Sequence, residues 1–536
     1  MKKLILVFIA LSFYGEAFAA NIPSPTFGVS ETVVSVYGKS DYYTHWIDNT
    51  AGNCSDSGNG TPSAPRCTIP TVSGLAAGSV VQLRGGPYTG SILTVGGIGT
   101  ASKPIFFRGE SPSNKVLFSR HLRIRNAAYL VVENINFTAT SSNPIIDLRS
   151  GSDTESTTYI SIRDNEATGT GLAASGSAMS GGGTSYALPG HDIVYLRNKV
   201  HDFGIYESAT ENDTHCLGVG TNHYNSWYLN NELYRCSGDG IGNGHDANHK
   251  TYNLFIDGNK IYNNRENAID LKEVHDVIIS NNIMYGYARV DSSSGEVIAL
   301  HYGPTSGQGP YNVWVLNNII HDGVSGYVGS DVEAGHYVIG NLFYDLETAV
   351  DLNNTGGGEY HIYHNTIINS GVGLHFGVNT DTLDFGGNLV ANTKTGAHQR
   401  IDTTQMRTLA TVNKELYWQG GSNVTIGWGS TYTSVAAWVS ASGKGAGSVQ
   451  ADPLFVDAYG KNYRLRSGSP AIDAGVNMSN IEDTFQASFP TASILTDIAG
   501  VSRPDGVWDI GAYEYGSTTA PSPSPVIHNI STTSNL

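Results

Sequence analysis

The amino-acid sequence predicts an all-β protein, a right-handed parallel β-helix with a small β-rich C-terminal cap. An apolar strand followed by one or two asparagines recurs along the chain, and the strands are β-branched and lack helical periodicity. The recurring asparagines are Asn198, Asn231, Asn259, Asn282, Asn318, Asn341, Asn365 and Asn388. Their spacings of 33, 28, 23, 36, 23, 24 and 23 residues indicate one solenoid rung of minimum length with loop insertions on some rungs.

Asparagine at a fixed place in each rung suits a tight corner, because it tolerates the left-handed backbone conformation. Stacked corners also allow the side-chain amides to hydrogen-bond to one another along the solenoid. A β-sandwich would not keep a 23-residue minimum over eight repeats. We therefore expect these asparagines at equivalent corners of a β-helix.

The first nineteen residues predict a secretory signal peptide. Lys2 and Lys3 precede an apolar run, and Ala17-Phe18-Ala19 is a small-x-small cleavage site. We expect a secreted protein, extracellular or periplasmic, with surface association left open. No later segment reaches the roughly 20 apolar residues that a membrane span requires.

The remaining chain divides by composition and pattern. We assign residues 20–69 to an N-terminal cap segment, 70–447 to the β-helix, 448–516 to a C-terminal region and 517–536, rich in Ser, Thr and Pro, to a disordered tail. The four cysteines form an even number in an exported chain, which favours disulfides Cys54–Cys67 and Cys216–Cys236.

Composition limits the partners. The net charge of −17 argues against nucleic acid, because phosphate binding needs a basic surface. An acidic polymer remains compatible if the protein offers a locally basic site or a bridging cation. We expect a monomer without a membrane span.

Aligning the rungs by their asparagines stacks six short strands and sorts their residues into columns. The inward column reads Leu217, Ile241, Ile269, Ile298, Val328 and Val350. The first outward column reads Gly218, Gly242, Asp270, Ala299, Gly329 and Asp351, and the second reads Gly220, Gly244, Lys272, His301, Asp331 and Asn353. Charged and imidazole groups gather in the middle rungs beside small residues, which predicts a trough suited to an extended polymer.

The trough offers the groups that β-elimination from a uronate chain requires, a base and a positive charge for the enolate-like anion. The base candidates are Lys272, His245 and His301, and Arg265 is a candidate for neutralising the substrate carboxylate. Glu296 and Tyr302 are candidates for substrate binding, with Tyr285 and Tyr287 as further stacking surfaces. Asp239, Asp270 and Glu273 are candidate Ca²⁺ ligands. Lys272 is equally compatible with a plain surface ion pair to Asp270 or Glu273.

Both ends of the chain carry patterns of known secreted β-helices. Gly60-Thr61, Pro65, Thr68-Ile69, Gly78, Leu83-Arg84 and Gly86-Pro87-Tyr88 resemble the opening of pectate-lyase-like proteins, including family 9 polysaccharide lyases. The stretches 451–475 and 497–515 resemble the choice-of-anchor Q region that closes many bacterial β-helices. The resemblance implies Ca²⁺ on aspartates one rung before a lysine base. Here Asp239 is kept, but Gly238 and Gly242 replace expected acids and Asp270 stands at the expected lysine position.

The sequence thus favours a secreted polysaccharide lyase acting on an acidic glycan. An inverting glycoside hydrolase is an alternative, since Asp239, Asp270 and Glu296 offer carboxylate pairs. A non-enzymatic glycan-binding solenoid is the second alternative, because a fold alone does not determine activity. A uronate epimerase fits the fold, but the chain has no Asp-Pro-His motif.

Overall fold

The computed structural model describes residues 21–29, 42–139, 144–149, 157–172, 176–181, 188–207, 212–243, 251–290, 293–302, 309–330, 334–353, 357–503 and 507–516. The predicted signal peptide and the predicted C-terminal tail lie outside these residues, as do His245, Gly244 and Asp331. Within them, no helix has the length and apolar character needed to cross a membrane.

The described residues form 42 strands and three helices. In chain order the strands are β1 (His45–Asp48), β2 (Val72–Leu75), β3 (Val80–Arg84), β4 (Tyr88–Thr89), β5 (Leu93–Ile98), β6 (Ile105–Arg108), β7 (Val116–Ser119), β8 (Leu122–Glu133), β9 (Ile135–Thr138), β10 (Ile146–Arg149), β11 (Thr157–Arg163), β12 (Glu166–Thr168), β13 (Gly176–Ser180), β14 (Gly190–Leu196), β15 (Lys199–His201), β16 (Thr214–Val219), β17 (His223–Leu229), β18 (Glu232–Tyr234), β19 (Ile241–Asn243), β20 (Thr251–Asp257), β21 (Lys260–Tyr262), β22 (Ile269–Lys272), β23 (Val274–Ser280), β24 (Ile283–Tyr285), β25 (Glu296–His301), β26 (Tyr311–Leu316), β27 (Ile319–Ser330), β28 (His336–Ile339), β29 (Leu342–Leu352), β30 (Glu359–Tyr363), β31 (Thr366–Ile368), β32 (Val372–Phe376), β33 (Thr382–Gly386), β34 (Leu389–Ala391), β35 (Gln399–Ile401), β36 (Thr411–Asn413), β37 (Leu416–Trp418), β38 (Ile426–Trp428), β39 (Thr431–Tyr432), β40 (Val449–Gln450), β41 (Phe455–Asp457) and β42 (Asn462–Leu465). The helices are α1 (Thr404–Leu409), α2 (Val435–Ser442) and α3 (Ser479–Ser488).

Three long parallel sheets run the length of the solenoid, and each rung contributes about one strand to each sheet. Sheet 1 contains β2, β5, β8, β10, β13, β16, β19, β22, β25, β27, β29, β32, β35 and β38. Sheet 2 contains β1, β3, β6, β8, β11, β14, β17, β20, β23, β26, β28, β30, β33 and β36, and sheet 3 begins at β4 and ends at β40. The predicted parallel β-helix is confirmed.

The asparagine ladder predicted from the repeats is present and extends one rung further, to Asn165. Each side-chain amide donates to the Oδ1 of the next asparagine at 2.9–3.1 Å, and Asn388 ends the ladder by donating to Glu415. The prediction of left-handed geometry was wrong by one residue. The residue before each ladder asparagine takes the positive φ, for example Asn281 at 55° and Asn317 at 55°. The ladder asparagine is instead selected for its amide, which satisfies buried backbone groups.

The interior of the solenoid is a column of mainly aliphatic side chains from the inward positions of sheets 1, 2 and 3. Leu217, Ile241, Ile269, Ile298 and Val350 are fully buried in it, as predicted. The predicted place of Val328 is wrong by one residue. Ile298 pairs with Tyr327, so Tyr327 enters the core and Val328 stands beside Ala299. The glycines around this strand hide its alternation, and a slip of one residue exchanges its two faces.

Helix α2 closes the C-terminal end of this core. Trp438 of α2 is fully buried against Tyr417 and Trp428 of the last rungs. The C-terminal region packs along the side of the solenoid. Its described residues include β40, which joins sheet 3, the antiparallel hairpin β41–β42 and α3, and Phe485 of α3 packs edge-on against Trp314 of β26.

Both predicted disulfides are present. Cys54 bonds to Cys67 within the N-terminal segment, and Cys216 of β16 bonds to Cys236 at the next corner. The second bond lies next to the predicted trough, so it ties two neighbouring rungs together where the candidate site is built.

Candidate active site

The outer face of sheet 1 forms the floor of the trough. In β22, Ile269 and Leu271 are fully buried, whereas Asp270 and Lys272 are partly exposed on the outer face. The alternation predicted from the sequence therefore holds. Asp270 lies between Gly242 and Ala299 on the neighbouring rungs, and Lys272 pairs in register with His301.

Lys272 is held in an ion pair with the acid beside it. Its Nζ donates to Oδ2 of Asp270 at 2.6 Å, and the side chain keeps 26% of its surface exposed. Burial by itself disfavours the ammonium, but the charges of Asp270, Asp239 and Asp213 outweigh it and raise the pKa of Lys272. Lys272 therefore carries its proton at neutral pH in this arrangement.

On the two preceding rungs, three acceptor groups converge. Nδ1 of His215 lies 3.1 Å from Oδ2 of Asp239 and 3.3 Å from Oδ1 of Asp213. Asp239 is almost fully buried, and its Oδ1 accepts the backbone N–H of Asn267 at 3.0 Å. Burial disfavours a charged His215, but the adjacent carboxylates outweigh it and raise its pKa to about 9.

A glycine makes this convergence sterically possible. A Cβ atom at Gly242 would lie 2.8 Å from Nδ1 of His215 and 2.9 Å from Oδ2 of Asp239, closer than real Cβ contacts. The acid expected there from the family resemblance would therefore displace both groups. Glycine at this position is a consequence of the histidine that this chain places over it.

The cluster fits a divalent cation. The ligand atoms of Asp213, His215 and Asp239 all lie within 4.8 Å of one another. Nδ1 of His215 also lies 3.1 Å from the backbone nitrogen of Asp239. Nearby, Oδ1 of Asp270 is buried without a hydrogen-bond partner in the described part of the chain. Several acceptors facing one space need a proton or a cation among them.

Glu296 extends the same line of outer groups by one more rung. The side-chain amide of Asn267 donates to the backbone O of Glu296 at 2.9 Å and lies 3.4 Å from its Oε2. Asn267 in turn contacts Asp239 through its backbone N–H, so Asn267 links Glu296 to the cluster around Asp239. His301 ends the strand that Glu296 begins, and Tyr302, which follows it, is 43% exposed.

Two predicted site residues lie elsewhere. Glu273 is buried at the left-handed corner between β22 and β23, with φ 54°, so it does not stand beside Asp270 on the trough face. Arg265 is 93% buried, and its charge acts on Tyr206. A buried guanidinium at this corner is poorly placed to meet a polymer on the outer face.

Two of the three predicted stacking tyrosines are also unavailable. Tyr285 is sandwiched between Tyr262 and His321 with ring centroids 5.0 and 4.8 Å away, so both of its faces are covered. Tyr287 is buried in the core, where its hydroxyl accepts from Asn264 at 3.1 Å. Only Tyr302 of the three offers an exposed ring.

Sequence reasoning missed Asp213 and His215. Strict alternation places both groups inward, because His215 and Asp239 stand two places before the inward residues Leu217 and Ile241. The outward columns predicted from the sequence therefore leave out the N-terminal side of the inward residue. The fold shows that the polar groups on its N-terminal side face the same trough.

The fold and the trough define a parallel β-helix protein with an acid, lysine and histidine cluster on one sheet. No protein-family model matches the chain, and no curated protein matches it. Several solved structures do. Pectate lyase Pel9A matches at 14% identity and a TM-score of 0.44, covering 90% of this chain and 99% of that chain.

Two further matches are the PL6 family alginate lyase AlyGC and the periplasmic alginate epimerase AlgG. AlyGC has 15% identity and a TM-score of 0.38, with 74% of this chain and 55% of that chain covered. AlgG has 14% identity and a TM-score of 0.34, with 55% and 70% covered. With such low identities and TM-scores below 0.5, these matches carry no argument about what this chain does.

Proposed function

We propose that this protein is a secreted polysaccharide lyase that cleaves a uronate-containing glycan by β-elimination. One observation carries the proposal. On adjacent rungs of an open sheet face, a protonated lysine, a histidine and a cluster of convergent carboxylates stand within reach of one extended ligand. These are the groups needed to neutralise a carboxylate, remove the neighbouring proton and stabilise the anion that forms.

The ion pair between Lys272 and Asp270 assigns different catalytic roles to Lys272 and His301, which are register partners on neighbouring rungs. Because Asp270 keeps Lys272 protonated, its ammonium suits neutralisation of the substrate carboxylate and protonation of the leaving oxygen. His301, its register partner, is then the preferred base, since its imidazole stands beside Lys272 on the outer face. Glu296 and the exposed ring of Tyr302 would contact the sugars beside the cleaved bond.

The acidic cluster would hold a divalent cation, for which we propose Ca²⁺. Asp213, His215 and Asp239 would be its ligands, with the buried Oδ1 of Asp270 facing the same space. Bound there, a cation would supply positive charge for substrate carboxylates. Carboxylate oxygens suit Ca²⁺, whereas the imidazole nitrogen suits Mn²⁺ or Zn²⁺ as well, so the three ions should be compared.

Ultraviolet absorbance tests the reaction class, because only elimination creates a conjugated unsaturated sugar. We expect absorbance to rise when the protein is added to pectate, alginate or a related uronate polymer. His301→Ala and Lys272→Ala should each lower turnover by about 10²-fold or more. Lys260→Ala is the matched control, because Lys260 is a strand lysine near Glu232 on sheet 3, away from the trough.

The other outcomes separate the alternatives. New reducing ends without ultraviolet absorbance would identify a hydrolase, and binding without cleavage would identify a glycan-binding solenoid. If His301→Ala and Lys272→Ala both keep full activity on the true substrate, the trough is not the active site.

A further inference from the structure

We propose that an acidic polymer lies along the outer face of sheet 1, from the trough to a basic site formed by Arg123 and Arg125 near the N-terminal end of the solenoid. The inference rests on the proposed function for the nature of the polymer. Its own evidence is the strand register, which places these arginines in the two outward columns that contain Asp270 and Lys272.

Strand β8 presents the two arginines outward. Leu122 and Ile124 are fully buried, and the alternating residues Arg123 and Arg125 are partly exposed. Residues 120–125 hold three of the 30 lysines and arginines of a chain with net charge −17. A polyanion is repelled by most of this protein, so a local concentration of guanidinium groups decides where it can lie.

Arg123 is fixed in place by Asp147, its register partner on the next rung. Its Nε lies 3.3 Å from Oδ1 of Asp147, which also lies 2.8 Å from Nε2 of His121. Asp147 is almost completely buried, and 26% of the Arg123 side chain remains exposed. The buried acid therefore orients the guanidinium, and planar guanidinium groups match carboxylates with two parallel hydrogen bonds.

The register connects this basic site to the trough. Leu122 pairs with Ile146, then Met179, Leu217, Ile241 and Ile269 follow on successive rungs. Arg125 and Lys272 thus share one column, five rungs apart, or about 24 Å at the usual strand spacing. Between Arg123 and Asp270 the first outward column carries Asp147, which pairs with Arg123, and then Ser180, Gly218 and Gly242, whose small side chains leave an extended chain room to pass over the sheet.

The distance between Arg125 and Lys272 makes the contribution of Arg125 to binding depend on the length of the polymer. About 24 Å is well beyond the roughly 8 Å over which charges interact at physiological ionic strength. Arg125 therefore does not act on the sugar held beside Lys272. It acts only on a polymer long enough to reach both places, so short oligomers should not sense it.

The test measures binding and cleavage of uronate trimers and of the full polymer. Arg125→Ala should weaken polymer affinity about tenfold, the scale of one lost charged hydrogen-bonded contact, and should reduce its salt dependence. Trimer affinity should not change, and Arg125→Lys should recover part of the loss. Arg235→Ala is the matched control, since Arg235 is 45% exposed and paired with Asp202 on another face.

The outcomes separate this inference from the proposed function. If the protein releases unsaturated sugars and Arg125→Ala binds polymer like the wild type, the path is wrong and the lyase proposal stands. An equal loss on trimers and polymer also overturns the path. Binding of uronate polymer that depends on Arg125 but leads to no cleavage supports the path and refutes the lyase proposal. Nucleic acid that binds more tightly than uronate polymers would overturn the choice of ligand.

Discussion

Glu415 ends the asparagine ladder with a group that differs from all others in it. Its Oε1 accepts the side-chain amide of Asn388 at 3.0 Å and the backbone N–H of Asn388 at 3.2 Å. Its other oxygen lies 3.4 Å from the Tyr417 hydroxyl, and the side chain is fully buried. Burial in this apolar interior raises the pKa of Glu415 to about 8. We predict that Glu415→Gln removes a pH-dependent loss of stability.

The sign follows from the two states of the chain. Unfolded, the carboxyl group titrates near 4.5, and folded it keeps its proton to about pH 8. Between these values the unfolded chain has released a proton that the folded chain retains, so the free energy of unfolding falls as pH rises. At 1.36 kcal/mol per pH unit, the difference between the two pKa values lowers the free energy of unfolding by about 5 kcal/mol. This value is an upper bound, because relaxation of the site reduces it.

Glutamine keeps the acceptor for Asn388 and supplies an amide that donates to the Tyr417 hydroxyl. The free energy of unfolding of Glu415→Gln, minus that of the wild type, should therefore grow from pH 5 and level off above pH 8. Calorimetric melting across this range measures the difference, and hydrogen exchange in β34 and β37 localises it. Glu207→Gln, at an 82% exposed side chain, controls for the loss of one negative charge. A difference that does not change with pH, or one that shrinks as pH rises, would refute the reasoning.

Other predictions concern the ladder and the trough. Asn318→Ala leaves the amide and N–H of Asn282 without their acceptor, so unfolding should become easier by about 3 kcal/mol, measured by denaturant melts against the exposed Asn353→Ala. Calorimetric titration should detect a divalent cation that Asp239→Asn no longer binds, and binding unchanged in that variant would contradict the proposed ligands. The affinity for this cation should fall as pH falls, because protons compete with it for His215, whose pKa is raised to about 9. Mass mapping without reductant should recover both disulfide-linked peptides, whereas complete alkylation of the native protein would contradict them.

The sequence by itself determined the solenoid and the outline of its trough. Corners repeated with a 23-residue minimum could only be satisfied by stacking, and the stacking then brought Asn282 and Asn318 into contact across 36 residues. Period-2 alternation placed Ile269 inward and Lys272 outward without any tertiary information, because it is a property of one strand. Disulfide formation followed from cysteine number and compartment, and the two pairings followed from the closeness of the partners in the sequence.

The tertiary structure decided the features that depend on contacts between rungs. Whether Tyr327 or Val328 enters the core depends on its neighbour Ile298, since the glycine-rich strand itself shows no alternation. Asp213 and Asp239 are 26 residues apart, and only the register of two rungs shows that both carboxylates face His215. The protonation of Lys272 likewise depends on burial and on charges from other rungs. Local sequence sets which way a side chain points, but insertion lengths and register decide which side chains meet.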